Sequence, residues 1–285
     1  MVWDAVIACY LFLAGMGAGA FALAALAGLM KPELKKIRRV GYIIAPIAVA
    51  VGCLLLMVDA KGGLFNPLRF FFIVSNLQSV MSWGVIILCL FIVVSGIALV
   101  LNLMKKETPK AIDIIGLVLA VCTAAYTGVL LGAAPGFPLW NIVVMPLLFI
   151  VSATSSGFAS VLLVAHATGS EEPAALPFLK KTAYILPALE AALVVVLFVV
   201  AMMTQGSGAE AAVASVMNMV AGSYAPVFWV GFVVVGLVAP VAFEVLNARK
   251  ASSAKGLAVA AEACVLVGAF LLRFLVIMAA VPIFG

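Results

Sequence analysis

Apolar positions along this chain fall in long unbroken stretches, separated by short charged or Pro/Gly-rich breaks and without alternation of period two. Such stretches suit helices crossing a hydrocarbon layer roughly 30 Å thick, about 20 residues each, and do not suit barrel strands. Dividing the chain at the breaks predicts eight spans, roughly 4–30, 40–59, 71–104, 112–133, 141–166, 182–204, 222–247 and 257–283. Helices are the expected spanning element because they satisfy their own backbone hydrogen bonds where no water is at hand. The first run lacks a basic leader and is followed by Lys31 instead of a processing site, so it reads as a retained helix.

Composition strengthens this reading. Apolar residues make up 67% of the 285 positions and charged residues 9%, against about a quarter charged in soluble domains. The fold class expected is therefore all-α integral membrane, with little of the chain outside the bilayer. Charge then sets orientation, since loops rich in Lys and Arg stay in the cytoplasm. Loop one carries Lys31, Lys35, Lys36, Arg38 and Arg39; Lys105, Lys106 and Lys110, then Lys180 and Lys181, then Arg249, Lys250 and Lys255 follow in alternate loops. The opposite loops hold only Lys61 and Arg69, so both termini are expected on the outer, periplasmic side. The net charge of +5 is a topology signal, with anionic lipid headgroups as its remaining partner and no nucleic acid implied.

The chain is poor in groups that hold cofactors. Its one histidine is His166, whereas a b-type haem between helices takes two imidazoles, and the cysteines 9, 53, 89, 122 and 264 are scattered through the spans with no CxxC pair. Haem, an iron–sulfur cluster and a metal are therefore not expected here. If electrons pass through this protein, a diffusible molecule must carry them.

An ionisable side chain inside a span is costly unless it is paired or hydrated, so each one is a candidate for function. Asp59 closes the second span, and Arg273 lies about ten residues before the end of the eighth, which makes Asp59 its expected partner. Tyr10 and Tyr126 fall at similar depth, and all four belong to the outer half. Toward the cytoplasm lie Glu190, Glu262 and Glu244. Glu244 and Glu262 are expected to snorkel or to pair with the neighbouring Arg249, Lys250 or Lys255, while Glu190 has no basic residue at its depth. A relay of protons through Glu190 and Glu262 is a second reading of these acids, and His166 is read as a polar helix-end residue. Gly15, Gly17 and Gly19 let a backbone or a flat ligand approach the first span.

Four segments in order resemble the NrfD-like family of polysulfide reductase membrane subunits. They are YLFLAGMGAGAF at 10–21; Asp59 through PLRFF at 67–71 and SVMSWG at 79–84; YTGVLL at 126–131 with PLWN at 138–141, MPLLF at 145–149 and SATSSG at 152–157; and GAFLLRF at 268–274. The resemblance implies two four-helix bundles, 1–135 with a quinone site and 136–285, in the cytoplasmic membrane of a bacterium or archaeon. It also implies a four-cluster iron–sulfur subunit on the outer face and a molybdopterin catalytic subunit, fed from menaquinone or ubiquinone. By position, Tyr126 matches the tyrosine of the YTG motif, Tyr10 stands where some members place a histidine, and Asp59 and Arg273 match recurring charged positions. Val6 departs from members with asparagine there. Quinone binding is thus expected from Tyr10, Gly15, Tyr126, Asp59 and Arg273, with Asp59 and Tyr126 handling protons. A secondary transporter built on the buried carboxylates is the alternative, against which stands the absence of an evident inverted repeat.

Overall fold

The computed structural model describes residues 4–59, 76–249 and 255–283. Eight helices in it are long and apolar enough to cross a membrane. They are α1 (Ala5–Met30), α2 (Lys35–Asp59), α3 (Val80–Leu103), α4 (Lys110–Gly132), α5 (Val144–Ala167), α6 (Pro177–Met202), α8 (Val227–Ala248) and α9 (Lys255–Met278). A ninth helix, α7 (Ala209–Val220), is about 18 Å long and too short to span. It is an addition to the elements expected from sequence. The eight long helices correspond one to one with the expected spans. The largest shift is at α3, which starts at Val80 and not near 71, because the Ser79 hydroxyl accepts from the Met81 amide and caps it there. Residues 60–75, with Lys61 and the PLRFF segment, lie outside the described residues.

The charges assigned to loop one belong largely to α2, which begins at Lys35. Its start is fixed from a distance: the Glu172 carboxylate accepts from the Lys36 amide at 3.0 Å and from the Ile37 amide at 2.8 Å. A carboxylate at a helix N-terminus meets both the orphan donors and the favourable end of the dipole.

Helix α1 is the axis of the molecule and touches α2, α4, α5 and α9. Lipid tails are as apolar as leucine, so helices in a membrane associate through close backbone contact. The residues of α1 permit that contact. A Cβ on Gly19 would strike the Ala153 carbonyl of α5, and one on Gly157 would strike the backbone of Gly19. On the other side, a Cβ on Gly17 would lie 2.9 Å from the Ala45 carbonyl of α2. Large apolar side chains instead cover the rim, among them Leu90 and Val93 of α3, Val118 of α4 and Val230 of α8, all exposed toward where lipid would lie.

Two irregularities shape the remainder. The first twelve residues of α8, Val227–Val238, are π-helical, and the widened turn brings Gly236 against Gly268 of α9, where a Cβ would lie 2.5 Å from the Gly268 Cα. Beyond Met278 the chain leaves the helix and is stapled to its neighbours. Trp140 Nε1 donates to the Val276 carbonyl at 2.8 Å, Val281 N to Ser215 Oγ at 2.8 Å, and Ile283 N to the Gly136 carbonyl at 2.9 Å. These bonds put the end of α9 at the same face as the α4–α5 connection and α7. The opposite face carries the described loop cations, among them Lys35, Arg38, Lys105, Lys106 and Lys255.

The α1–α5 seam makes a simple prediction. Gly19→Leu should lower stability toward the upper end of the ~1–3 kcal/mol range for overpacking, because backbone must move. Gly96→Ala, where a Cβ meets nothing within 4 Å, should be close to neutral. Thermal unfolding of the two variants in detergent measures both.

Candidate functional site

Arg273 is the largest side chain with no solvent exposure. It lies on α9 and reaches three neighbours: its Nε donates to the Leu11 carbonyl of α1 at 3.2 Å, and its Nη1 donates to Ser152 Oγ of α5 at 2.8 Å and to the Ala269 carbonyl at 2.9 Å. The guanidinium also faces the Phe149 ring at 5.2 Å and the Phe12 ring at 5.9 Å, a favourable cation–π arrangement. Its Nη2 has no partner, and it occupies the space that a side chain on Gly15 would take, 2.6 Å from a Cβ there.

The carboxylate that answers this charge is Glu190 of α6. It is buried and stands within electrostatic range of Arg273 and Ser152, while its Oε1 has no partner. The expectation that no cation shares Glu190's depth is corrected to that extent: the Arg273 charge on α9 reaches it. Asp59 is the last residue of α2, and its side chain lies outside the described residues, so its expected pairing with Arg273 has no geometry here.

Tyr10 is buried in α1, with its hydroxyl unpartnered. It stands within electrostatic range of Tyr126 of α4 and of Cys53 of α2. Tyr126 lies flat against Gly84 of α3, where a Cβ would fall on its ring. Thus Tyr10 and Tyr126 are brought together, as are Gly15 and Arg273. The two pairs are linked along α1, since Tyr10 precedes by one residue the Leu11 whose carbonyl holds Arg273. Ser152, in the SATSSG segment, was the one member that sequence reasoning did not single out as a side chain.

Toward the basic face, Glu262 turns inward. His166 Nδ1 is 3.9 Å from its Oε1, and Glu244 is the nearest like charge. Among the described residues the contact of Glu262 is with His166 and not with Arg249 or Lys255, while Lys250 lies outside the described residues. Glu244 and Glu262 line a cavity of about 50 Å³ together with Ser155, Thr182 and Pro187. That is room for a water molecule with several polar partners.

A further polar cluster at that face was missed. Asp113 of α4, buried, accepts from the Tyr42 hydroxyl of α2 at 2.5 Å, and Arg38 lies over the Tyr42 ring at 6.0 Å. Gly28 of α1 admits them, since a Cβ there would lie 2.9 Å from Asp113 Oδ2 and 3.1 Å from Arg38 Nε. The available signal was Arg38 and Tyr42 four residues apart on one helix face. Among the described residues, no three His, Cys, Asp or Glu side chains stand close enough together to hold a metal ion.

Eight apolar helices enclosing a buried, incompletely satisfied polar centre define a multi-pass membrane protein. The chain belongs to the NrfD family: the family described as Polysulphide reductase, NrfD, matches it over residues 1–285. It is similar to the C chain of polysulfide reductase from Wolinella succinogenes, 33% identical with 98% of this protein and 94% of that one covered. It is also similar to protein NrfD of Escherichia coli, 31% identical over 98% and 95% of the two proteins, and to the NrfD homolog of Haemophilus influenzae, 29% identical over 98% and 94%.

Both polar clusters should contribute to stability. Ser152→Ala leaves Arg273 short of a partner, and Tyr42→Phe does the same to Asp113. Each should cost about 1–3 kcal/mol, the range for an unsatisfied buried group. Because the clusters lie at opposite ends of α1, the double variant should be additive within ~0.5 kcal/mol in a denaturant titration of the detergent-solubilised protein.

Proposed function

We propose that this chain is the quinone-reactive membrane anchor of a molybdopterin/iron–sulfur oxidoreductase, exchanging electrons between membrane quinol and an iron–sulfur subunit docked at the face where α9 ends. The observation that carries the reading is a pair of orphaned buried polar atoms, Tyr10 Oη and Arg273 Nη2, five residues apart along α1 by way of Gly15. Family membership and the name of the Wolinella relative, one component of a polysulfide reductase, support it.

The residues present fit a quinone. Its head is apolar with two carbonyl oxygens and asks for hydrogen-bond donors at one end of an apolar site. Tyr10 has a hydroxyl with no protein acceptor, and Tyr126 presents a second within electrostatic range of it. When bound, a quinone supplies reversible two-electron, two-proton chemistry. In this reading Tyr10 and Tyr126 orient its oxygens, Arg273 provides fixed positive potential, and Gly15 makes room for the guanidinium. Asp59, at the end of α2, takes or gives protons at the water boundary.

The same reading divides the helices into two four-helix bundles. One comprises α1–α4, within 1–135, and the other α5, α6, α8 and α9, within 136–285, with both termini on the outer side of a bacterial or archaeal cytoplasmic membrane. The Glu244–Glu262 cavity and the Glu190–Ser152–Arg273 cluster favour one addition. Protons would enter beside His166 and Glu262 and reach Glu190, in which case the anchor also moves protons across the membrane.

Turnover with quinol tests the site. Asp59→Asn should lower quinol-linked electron transfer about 10²-fold, the low end for loss of a general acid–base group. Tyr126→Phe should lower it about tenfold, near the value of one hydrogen bond, and in both cases the complex should still assemble. Unchanged quinol kinetics in both variants would reject the site. For the addition, Glu190→Gln should abolish quinol-driven proton uptake into vesicles with electron transfer intact; retained uptake would remove it.

A further inference from the structure

At the face opposite the Tyr10–Arg273 centre, the ends of α2 and α3 enclose a cavity of about 280 Å³. Five cations line it: Lys35, Arg38 and Arg39 from the first turns of α2, and Lys105 and Lys106 from the end of α3. Asn102 completes the wall, and Glu107 is the one acid. Like charges this close repel one another, so a cluster of this kind is stable when an anion neutralises it.

Three details mark it as a built site. Arg38 is buried and held in place, with Nη1 donating to the Pro32 carbonyl at 3.1 Å and its plane over Tyr42, itself bonded to Asp113. Its guanidinium thus comes to the cavity wall pre-positioned, and Asp113 behind it offsets one charge of the five. Glu107, with 77% of its side chain exposed, makes a 3.5 Å contact with Arg38 Nη1 at the lip, so Arg38 already binds one carboxylate oxygen there. Lys105 adopts φ +58°, a left-handed conformation that glycine adopts at less cost after a helix. The turn it makes, closed by the Lys106 amide on the Leu101 carbonyl at 2.9 Å, sets Lys105 and Lys106 on the rim.

Immediately toward the membrane interior the surface changes character. Along α3 toward that interior, Val100, Ile97 and Val93 are apolar and exposed at successive turns of one face. A soluble anion has no use for that strip, whereas a diacyl phospholipid lays its chains along it and its phosphate in the cavity above.

We propose that this cavity is a binding site for the phosphate of an anionic phospholipid, with Arg38, Lys35, Arg39, Lys105 and Lys106 as its ligands and the exposed Val93–Ile97–Val100 face of α3 as the seat of the acyl chains. The site ties α2 to α3 through the lipid at the membrane surface. It stands independently of the quinone reading, because it uses none of the same residues.

Native mass spectrometry of the full-length chain, delipidated in detergent and offered dioleoyl phosphatidylglycerol or dioleoyl phosphatidylcholine, tests it. The wild type should bind phosphatidylglycerol at least tenfold more tightly than phosphatidylcholine. Lys35→Gln combined with Lys105→Gln, both at exposed positions, should weaken phosphatidylglycerol about 30-fold, at roughly fivefold per cation removed. Glu107→Gln, which frees Arg38, should tighten it several-fold. Equal binding of the two lipids, or phosphatidylglycerol binding untouched by the double substitution, would overturn the proposal. Displacement of the lipid adduct by millimolar inorganic phosphate would overturn the lipid as occupant in favour of a soluble phosphate.

Discussion

A guanidinium buried among helices in a membrane constrains everything near it. Arg273 must be met by acceptors from several elements at once, because an unpaired charge at that depth costs several kcal/mol. The acceptors come from α1, α5 and its own α9, and the balancing carboxylate from α6. These four helices are thereby held in one register. Gly15 follows from the same demand, since any side chain there would compete with Nη2 for space. The site is accordingly positioned by hydrogen-bonding geometry, and the apolar packing around it fills in.

That packing rests on small residues. The glycines of α1 let it approach α2 and α5 closely enough for the Leu11 carbonyl to reach Arg273 and for Tyr10 to sit beside Tyr126. At the other end of the same helix, Gly28 admits the Arg38–Tyr42–Asp113 cluster. One helix therefore carries two polar centres, one at each end, and its apolar middle separates them. The arrangement keeps the candidate redox centre apart from the cationic surface, so each is free to meet a different partner.

The eight spans were legible because long apolar runs leave little choice of structure in a bilayer. Tyr10, Tyr126, Asp59 and Arg273 were legible as residues of similar depth, and of these the side chain of Asp59 lies outside the described residues. Lateral partnership was harder to read. Counting residues placed Glu190 apart from Arg273, yet both side chains are long enough for the charge of one to reach the other. Arg38 read as a topology charge because loops and first helical turns look alike in composition, while Asp113 stood unremarked near the start of α4. The short α7 escaped because its twelve residues fall below the length of a span and its sequence is mixed. Its role emerges only from tertiary bonds, with Ser215 and Asn218 holding the tail after α9.

The central claim is that a lipophilic quinone binds beside Tyr10, Gly15, Tyr126 and Arg273. Photolabelling with an azidoquinone, followed by peptide mapping, tests it most directly. The account predicts label on the peptides holding Tyr10–Gly15 and Tyr126, suppressed by excess unmodified quinone. Label confined to peptides away from these residues, or unaffected by competitor, would contradict it.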